Sequence, residues 1–311
     1  MVAGTTTTLC LQGPEGQKLR AKDHPFQHHH GKTRVRVLKV SKKNGIDMMH
    51  EYTVQTTLWS PVYDKVFTKG DNSDLVATDT QKNTVYVVAK RTAAETPEDF
   101  GLAIAAHLLK EYKMLTKVEV EVEEQNWERK VVDGVEHAHA WKKTSPCTGA
   151  ALVTSDRKST VVKSQIRKMT FIKTTQSGFT GYLMDKYTML PECTERCLAS
   201  ELSSEWLHAP GTHKNFAATR TQVTKCIEAA LFGPPLKGHY SPSLQNTIYD
   251  GACLVLETLP SIQKISIDTP NLHYLPAKFL SNFGEKFEDD VFIPTNEPSG
   301  TIFCEVSRGG K

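Results

Sequence analysis

The 311-residue chain has no unbroken apolar run approaching the roughly 18 residues a membrane-spanning helix requires, and so offers no candidate span. It lacks a strong charge of either sign: 38 Lys and Arg stand against 35 Asp and Glu, a formal net charge of +3. No basic stripe of the kind phosphate backbones demand is present, which argues against nucleic acid as a partner. So mild a balance still allows one or two local cations to hold a small anion. Cysteines are few and irregular, seven at positions 10, 147, 193, 197, 226, 253 and 304. An odd count without regular spacing argues against a disulfide framework and for a reducing, intracellular compartment. The opening "MVAGTTTTLCLQGPEGQK" lacks a charged segment followed by an apolar core, so it does not read as a secretory signal.

Cofactor signatures are equally sparse. No glycine-rich dinucleotide fingerprint follows a strand, so nothing supports a flavin or nicotinamide site. "HHHGKT" at 28–33 ends like a phosphate loop, but the pattern needs a glycine at position 26, where Phe26 stands, and a strand follows Thr33. His137 and His139 would share one face of a strand, which permits two metal ligands. No carboxylate or cysteine stands nearby at ligand spacing, and the expectation is no metal. Cys193 and Cys197 lack a second cysteine pair and read as packing or idle thiols.

The remaining sequence is that of an ordinary globular protein, 39% hydrophobic and 23% charged. Residues 1–31 mix Thr, Gly, Lys and His without periodicity and are predicted to be a mobile extension. "TRVRVLKV" then alternates with period two, as a half-buried strand does. "HEYTVQTTLWS" is a second strand, and Asn44-Gly45 marks the turn between them. "VATDTQKNTVYVVAK" places Thr78 and Asp79 where an N-cap would stand before a helix. "TPEDFGLAIAAHLLKEYK" is a second helix, with Thr96 as cap, Pro97 at its first position and Glu98 and Asp99 in its first turn. "KVEVEVEEQNWERKV" and "EHAHAWKK" are strands again.

The second half repeats the order: strands in "KSTVVKSQIRKMTFIKTT" and "ASELSSEWLHAP", helices in "FAATRTQVTKCIEAALFG" and "SPSLQNTIYDGACLVLETL", strands in "IQKISIDTPNLHYLP" and "GTIFCEVS". Hairpin-linked strands with paired helices on one face predict an antiparallel α+β layer, twice over. The expected units are 32–147 and 148–306, meeting near "SPCTG", with a tail at 307–311. Long sheet edges must be closed, which predicts pairing between repeats or subunits.

Arg196, Gln245, Asn271 and His273 stand beside apolar strand or helix starts. Each alone has an ordinary explanation: a surface ion pair, a helix-surface amide, a turn after Pro270, a hydrogen-bonded strand histidine. Together, however, "GKTRVRVLKV" at 31, "DNSDLVATDTQKNTVYVVAK" at 71, "SGFTGYLMDKYTMLPECTERCLAS" at 177, "SLQNTIYD" at 243 and "TPNLHYLP" at 269 resemble the urate oxidase (uricase) family, in order, from about residue 30 to 306.

The resemblance implies two tandem tunnelling-fold repeats, a homotetrameric barrel around a tunnel, and active sites between subunits. It implies substrate contacts from Thr78 and Asp79 of one chain and from Phe179, Arg196, Leu244, Gln245 and Asn271 of its neighbour. Lys32 hydrogen-bonded to Thr78 is the implied proton relay, with His273 beside it, and Asn271 and Thr78 would hold O2 and then water. The implied reaction converts urate, O2 and water to 5-hydroxyisourate and hydrogen peroxide, with no metal or flavin cofactor. The residue types suit a flat, electron-rich anion. Arg196 offers a planar fork of donors, Gln245 an amide donor and acceptor, Phe179 a stacking face and Leu244 its backbone N–H. The alternative on the same fold is a purine or pterin enzyme of cyclohydrolase or aldolase type; those anchor the heterocycle with Glu where Gln245 stands. The family commonly ends in a Ser-Lys-Leu type tripeptide for peroxisomal import; this chain ends "SRGGK", so the expectation is the peroxisome or else the cytoplasm.

Overall fold

The computed structural model describes residues 25–144, 146–212 and 214–309. The predicted mobile extension lies outside the described residues up to position 24; its last part is described, and β1 starts at His30. In chain order the strands are β1 (His30–Lys43), β2 (Ile46–Trp59), β3 (Lys117–Glu124), β4 (Trp127–Val132), β5 (Val135–Lys143), β6 (Thr148–Asp156), β7 (Thr160–Lys173), β8 (Leu198–His208), β9 (Ile262–Asp268), β10 (Asn271–Pro276), β11 (Phe292–Thr295) and β12 (Phe303–Ser307). The helices are α1 (Asp64–Lys69), α2 (Thr78–Arg91), α3 (Pro97–Glu111), α4 (Phe216–Phe232) and α5 (Leu244–Thr258).

Strong local patterns produce these elements. Asn44 and Gly45 both take positive φ, 53° and 76°, the geometry a tight hairpin with right-handed strand twist needs, and β1 pairs antiparallel with β2 across it. Thr96 caps α3 by accepting from the Asp99 N–H at 3.2 Å, and Ser243 caps α5 by accepting from Asn246 N–H at 3.1 Å. In β3 the period-two alternation sorts the side chains. Val118, Val120 and Val122 are fully buried beneath α3, while Glu121 and Glu123 on the opposite face meet Arg167 of β7.

One ten-stranded antiparallel sheet results, running β1-β2-β3-β6-β7-β8, after which β8 pairs with β9 along one stretch and β10 along another; β12 follows β9 and β11 follows β10. Two apolar cores lie between sheet and helices. Leu58, Phe100, Ile104 and Val120 belong to one, and Trp206, Ile227, Ile248 and Ile265 to the other. This is the tandem α+β arrangement expected.

Three details differ from the sequence expectation. The strand "EHAHAWKK" leaves the main sheet and forms a separate two-stranded ribbon, β4–β5. Its place beside β3 is taken by β6, an unanticipated strand. We therefore propose the division between repeats at the β6–β7 turn, residues 156–160, rather than at 147/148. The stretch "IQKISIDTPNLHYLP" breaks at Thr269-Pro270 into β9 and β10, because proline has no N–H to continue a ladder. The segment expected as a tail is partly docked: Ser307 ends β12, and Arg308 Nε donates to the Ile262 carbonyl at 2.8 Å.

Candidate active site

Lys32 lies half-buried on β1 opposite Thr56 of β2. A bulge follows it, with Arg34 at φ 57°, so the strand is bent where the amine leaves it. Gly31 permits the close approach: a Cβ there would collide with the Thr56 carbonyl oxygen. Thr56 is buried and donates from Oγ1 to Gln81 Oε1 of α2 at 2.8 Å, and Gln81 Nε2 donates to the Val76 carbonyl at 3.1 Å. Tyr63 Oη accepts from the Val76 N–H at 3.4 Å. This polar lattice fixes the chain just before Thr78 against β1 and β2.

Thr78 and Asp79 are not the helix cap. Ala77 occupies the cap position with no side-chain hydrogen bond, and the pair are the first two residues of α2. Asp79 turns along the helix, accepting from Lys82 Nζ at 2.6 Å and Asn83 Nδ2 at 2.9 Å. Lys82 holds its carboxyl below the usual range, with a further contribution from the positive charge of Lys32. The first-turn N–H groups of α2, which have no intrahelical acceptor, thus receive none from a cap side chain and form an anion-favouring terminus. Lys32 and Thr78 lie on the adjoining elements β1 and α2, and among the described residues no hydrogen bond joins their side chains.

The other group sits beyond β7. Phe179 and Cys193 form an antiparallel bridge, and the Arg196 N–H donates to the Ser177 carbonyl at 2.9 Å. The Arg196 guanidinium carbon lies 5.3 Å from the Phe179 ring centroid, within cation–π range. Burial lowers the Arg196 pKa from its ordinary value, and Nε is buried without a partner. A desolvated guanidinium with an unspent donor is poised for an anionic acceptor.

Leu244 and Gln245 open α5. The Leu244 side chain is 1% exposed and belongs to the core, so only its backbone can serve a ligand, whereas Gln245 is exposed. Gly178 N–H donates to the Ser241 carbonyl at 2.9 Å and Ser241 N–H to the Gln176 carbonyl at 2.9 Å, tying the Phe179 segment to the approach of α5. Asn271 and Leu272 pair with Ser200 and Ala199, which sets β10, including His273, antiparallel beside the chain leaving Arg196. Ser177, Gly178 and Ser241 were not foreseen as site-shaping residues. A run of small residues at "SGF" and "SPS" was the available signal.

Lys32, Thr78 and Asp79 therefore gather at the β1–α2 side, and Phe179, Arg196, Leu244, Gln245, Asn271 and His273 at the β8–β10 side. Five strand spacings of about 4.8 Å separate β1 from β8, on the order of 24 Å of sheet. No hydrogen bond or ion pair among the described residues joins the two groups. A cavity of about 500 Å³ between the β4–β5 ribbon and α4, lined by Met48, Trp127, Trp141 and Arg220 among others, contains none of them. His137 and His139 lie on that ribbon with their rings 4.6 Å apart. Among the described residues no group of three or more His, Cys, Asp or Glu could hold a metal ion.

The tandem sheet-and-helix fold is that of a tunnelling-fold protein. The sequence model described as Uricase matches residues 28–154 and 162–303. The chain is 40% identical over 294 residues to uricase-2 isozyme 2 of Glycine max, covering 91% of this chain and 95% of that one. It is 36% identical over 282 residues to the uricase of Oryctolagus cuniculus, covering 90% and 93%. The crystal structure of uricase from Arthrobacter globiformis superimposes with a TM-score of 0.85 at 29% identity, over 94% of this chain and 97% of that one. The chain belongs to the uricase family.

Proposed function

We propose that this chain oxidises urate with O2 and water to 5-hydroxyisourate and hydrogen peroxide, at sites completed by two copies of the chain within a homotetramer. The observation that carries the reading is the separation of the two groups. A cationic, aromatic grip for a flat anion stands on one side of the sheet, and a lysine beside a helix N-terminus on the other.

Arg196 grips adjacent acceptors on the ring edge, Gln245 and the Leu244 N–H meet the mixed donor–acceptor edge, and Phe179 stacks on the face. The α2 terminus of the neighbouring copy, at Thr78 and Asp79, closes the perimeter. Lys32, with Thr78 and His273, accepts the proton whose removal raises the electron density of the ring. The electron-rich ring gives two electrons to O2, which leaves as hydrogen peroxide, and water adds to the oxidised ring. Thr78 and Asn271 hold O2 and then that water. Because urate itself is the reductant, the residues named suffice without metal or flavin. A product best removed by catalase suits a peroxisomal setting.

The test is urate's ultraviolet absorbance, followed in air with purified, metal-stripped protein. Loss of absorbance with matching peroxide is expected. Activity abolished by chelation and restored by iron or copper would refute the cofactor-free chemistry. Lys32→Met is expected to remain folded and lose turnover; parental turnover would remove the relay assignment.

A further inference from the structure

The lattice between β2 and the start of α2 is polar in a place where apolar side chains would pack. Thr56 and Gln81 are 1% and 0% exposed, and Val54, Leu58, Val85 and Val88 are buried in the same core. Replacing a bonded pair by apolar groups of the same shape is close to neutral for stability. The fold alone therefore gives little reason for a hydroxyl and an amide here. What a fully satisfied polar network adds is one defined geometry.

The bonds run in one direction. Gln81 Nε2 donates to the Val76 carbonyl at 3.1 Å, which leaves Oε1 to accept from Thr56 Oγ1 at 2.8 Å. The opposite amide orientation would set two acceptors against each other at Val76. The hydroxyl proton of Thr56 is thereby committed to Gln81, and its oxygen can only accept on its remaining sides. Thr56 is the register partner of Lys32. Directly opposed residues of an antiparallel pair carry their side chains on one face, with Cβ atoms about 4.5–5.5 Å apart. At the other end, Val76 stands just ahead of Thr78 in the chain. Its carbonyl is held by Gln81 and its N–H by Tyr63 Oη at 3.4 Å. Gln81 thus connects the residue beside Lys32 to the segment that delivers Thr78.

We infer that Thr56 and Gln81 are positioning residues for the oxidation. Thr56 is the acceptor-only neighbour of the lysine amine, Gln81 ties it to the start of α2, and together they hold Lys32 and Thr78 in register. The inference rests on the relay reading of Lys32 and Thr78 proposed above. Arg196, Phe179 and Gln245 grip the ring from the other side of the sheet, so loss of the tie falls on kcat and spares KM. Misplacing a reacting group by about 1 Å costs on the order of a hundredfold.

The experiment measures steady-state urate oxidation and urea unfolding for the full chain and for Thr56→Val, Thr56→Ser, Gln81→Met and Thr56→Val/Gln81→Met. Thr56→Val and Gln81→Met should each lower kcat by about 10- to 100-fold, with KM within about twofold of the parent. Thr56→Ser keeps the hydroxyl and should recover most of kcat. The double variant should lose no more than the worse single one, because the two residues act as one chain. Parental kcat in Thr56→Val overturns the inference. So does a fall no larger than the unfolded fraction explains, a fall carried by KM alone, or a Thr56→Ser as impaired as Thr56→Val. Thr56→Val is nearly isosteric and decides the matter if Gln81→Met does not fold. Lys32→Met, run alongside, separates the two claims. If it is inactive while Thr56→Val turns over like the parent, the positioning role alone is refuted. If Lys32→Met itself turns over like the parent, the relay is refuted and the positioning role with it.

Discussion

At the scale of single residues, Arg196 combines three features that bind an anion: a forked donor set, partial desolvation and an unpaired Nε. Lysine would keep the charge and lose the fork. Arg196→Lys is therefore expected to lower kcat/KM by about 1.5–3 kcal/mol, roughly 10- to 150-fold, chiefly through KM. Steady-state kinetics on urate measure it, and an unchanged kcat/KM would remove Arg196 from the site. Phe179→Leu keeps an apolar contact and removes the ring face, and should cost about 0.5–1.5 kcal/mol in substrate binding. These residues stood out in the sequence only as members of ordered segments. A lone arginine or asparagine carries no local sign of whether it will be desolvated, and that sign appears only when Phe179 is folded over it.

At the scale of elements, β1 and the start of α2 behave as one unit. Gly31→Ala forces β1 away from the Thr56 carbonyl, displacing Lys32. Overpacking of this kind costs about 1–3 kcal/mol, to be read from the urea midpoint together with a fall in turnover. His30 lies next to Lys32's bulge, and burial holds its pKa below 6.5, partly offset by a hydrogen bond with the Val76 main chain. A depressed folded-state value means the stability it contributes is complete above 6.5 and is lost as pH falls towards that lower value. The thermal midpoint should thus drop on acidification below 6.5, and His30→Leu should flatten that dependence; equal slopes would dismiss it. The caps at Thr96 and Ser243 were legible because an oxygen-bearing side chain preceded each helix. The Thr78-Asp79 pair misled for the same reason. Burial of Val76 and the bonds from Gln81 and Tyr63 set the helix start one residue earlier than side-chain chemistry suggested.

For the molecule as a whole, a buried ion pair ties the two halves together. Glu98 of α3 is fully buried and accepts from Arg220 of α4 at 2.5 Å and from Ser164 of β7, whose hydroxyl also lies 2.7 Å from His208 Nε2. Removing Arg220 strands a charge in a dry interior, so Arg220→Met should cost about 3–5 kcal/mol in chemical unfolding. Adding Glu98→Gln should recover part of that loss. Recovery of nothing would mean the stabilisation comes from the packing of the arginine stem. Because this network lies away from both half-sites, kcat per folded chain should be unchanged in either variant.

The alternating strands, the Asn44-Gly45 hairpin and the paired helices in each half were determined by the sequence itself, since period, turn residues and caps act over a few neighbours. Whether "EHAHAWKK" or "TGAALVTSD" would lie beside β3 was not so determined: both can form strands, and the choice depends on which side chains fill the space under α3. Tertiary structure also decided that Lys32 and Arg196 end on opposite sides of one sheet. Strand order is set by non-local pairing, and no local pattern records how many strands will separate two residues.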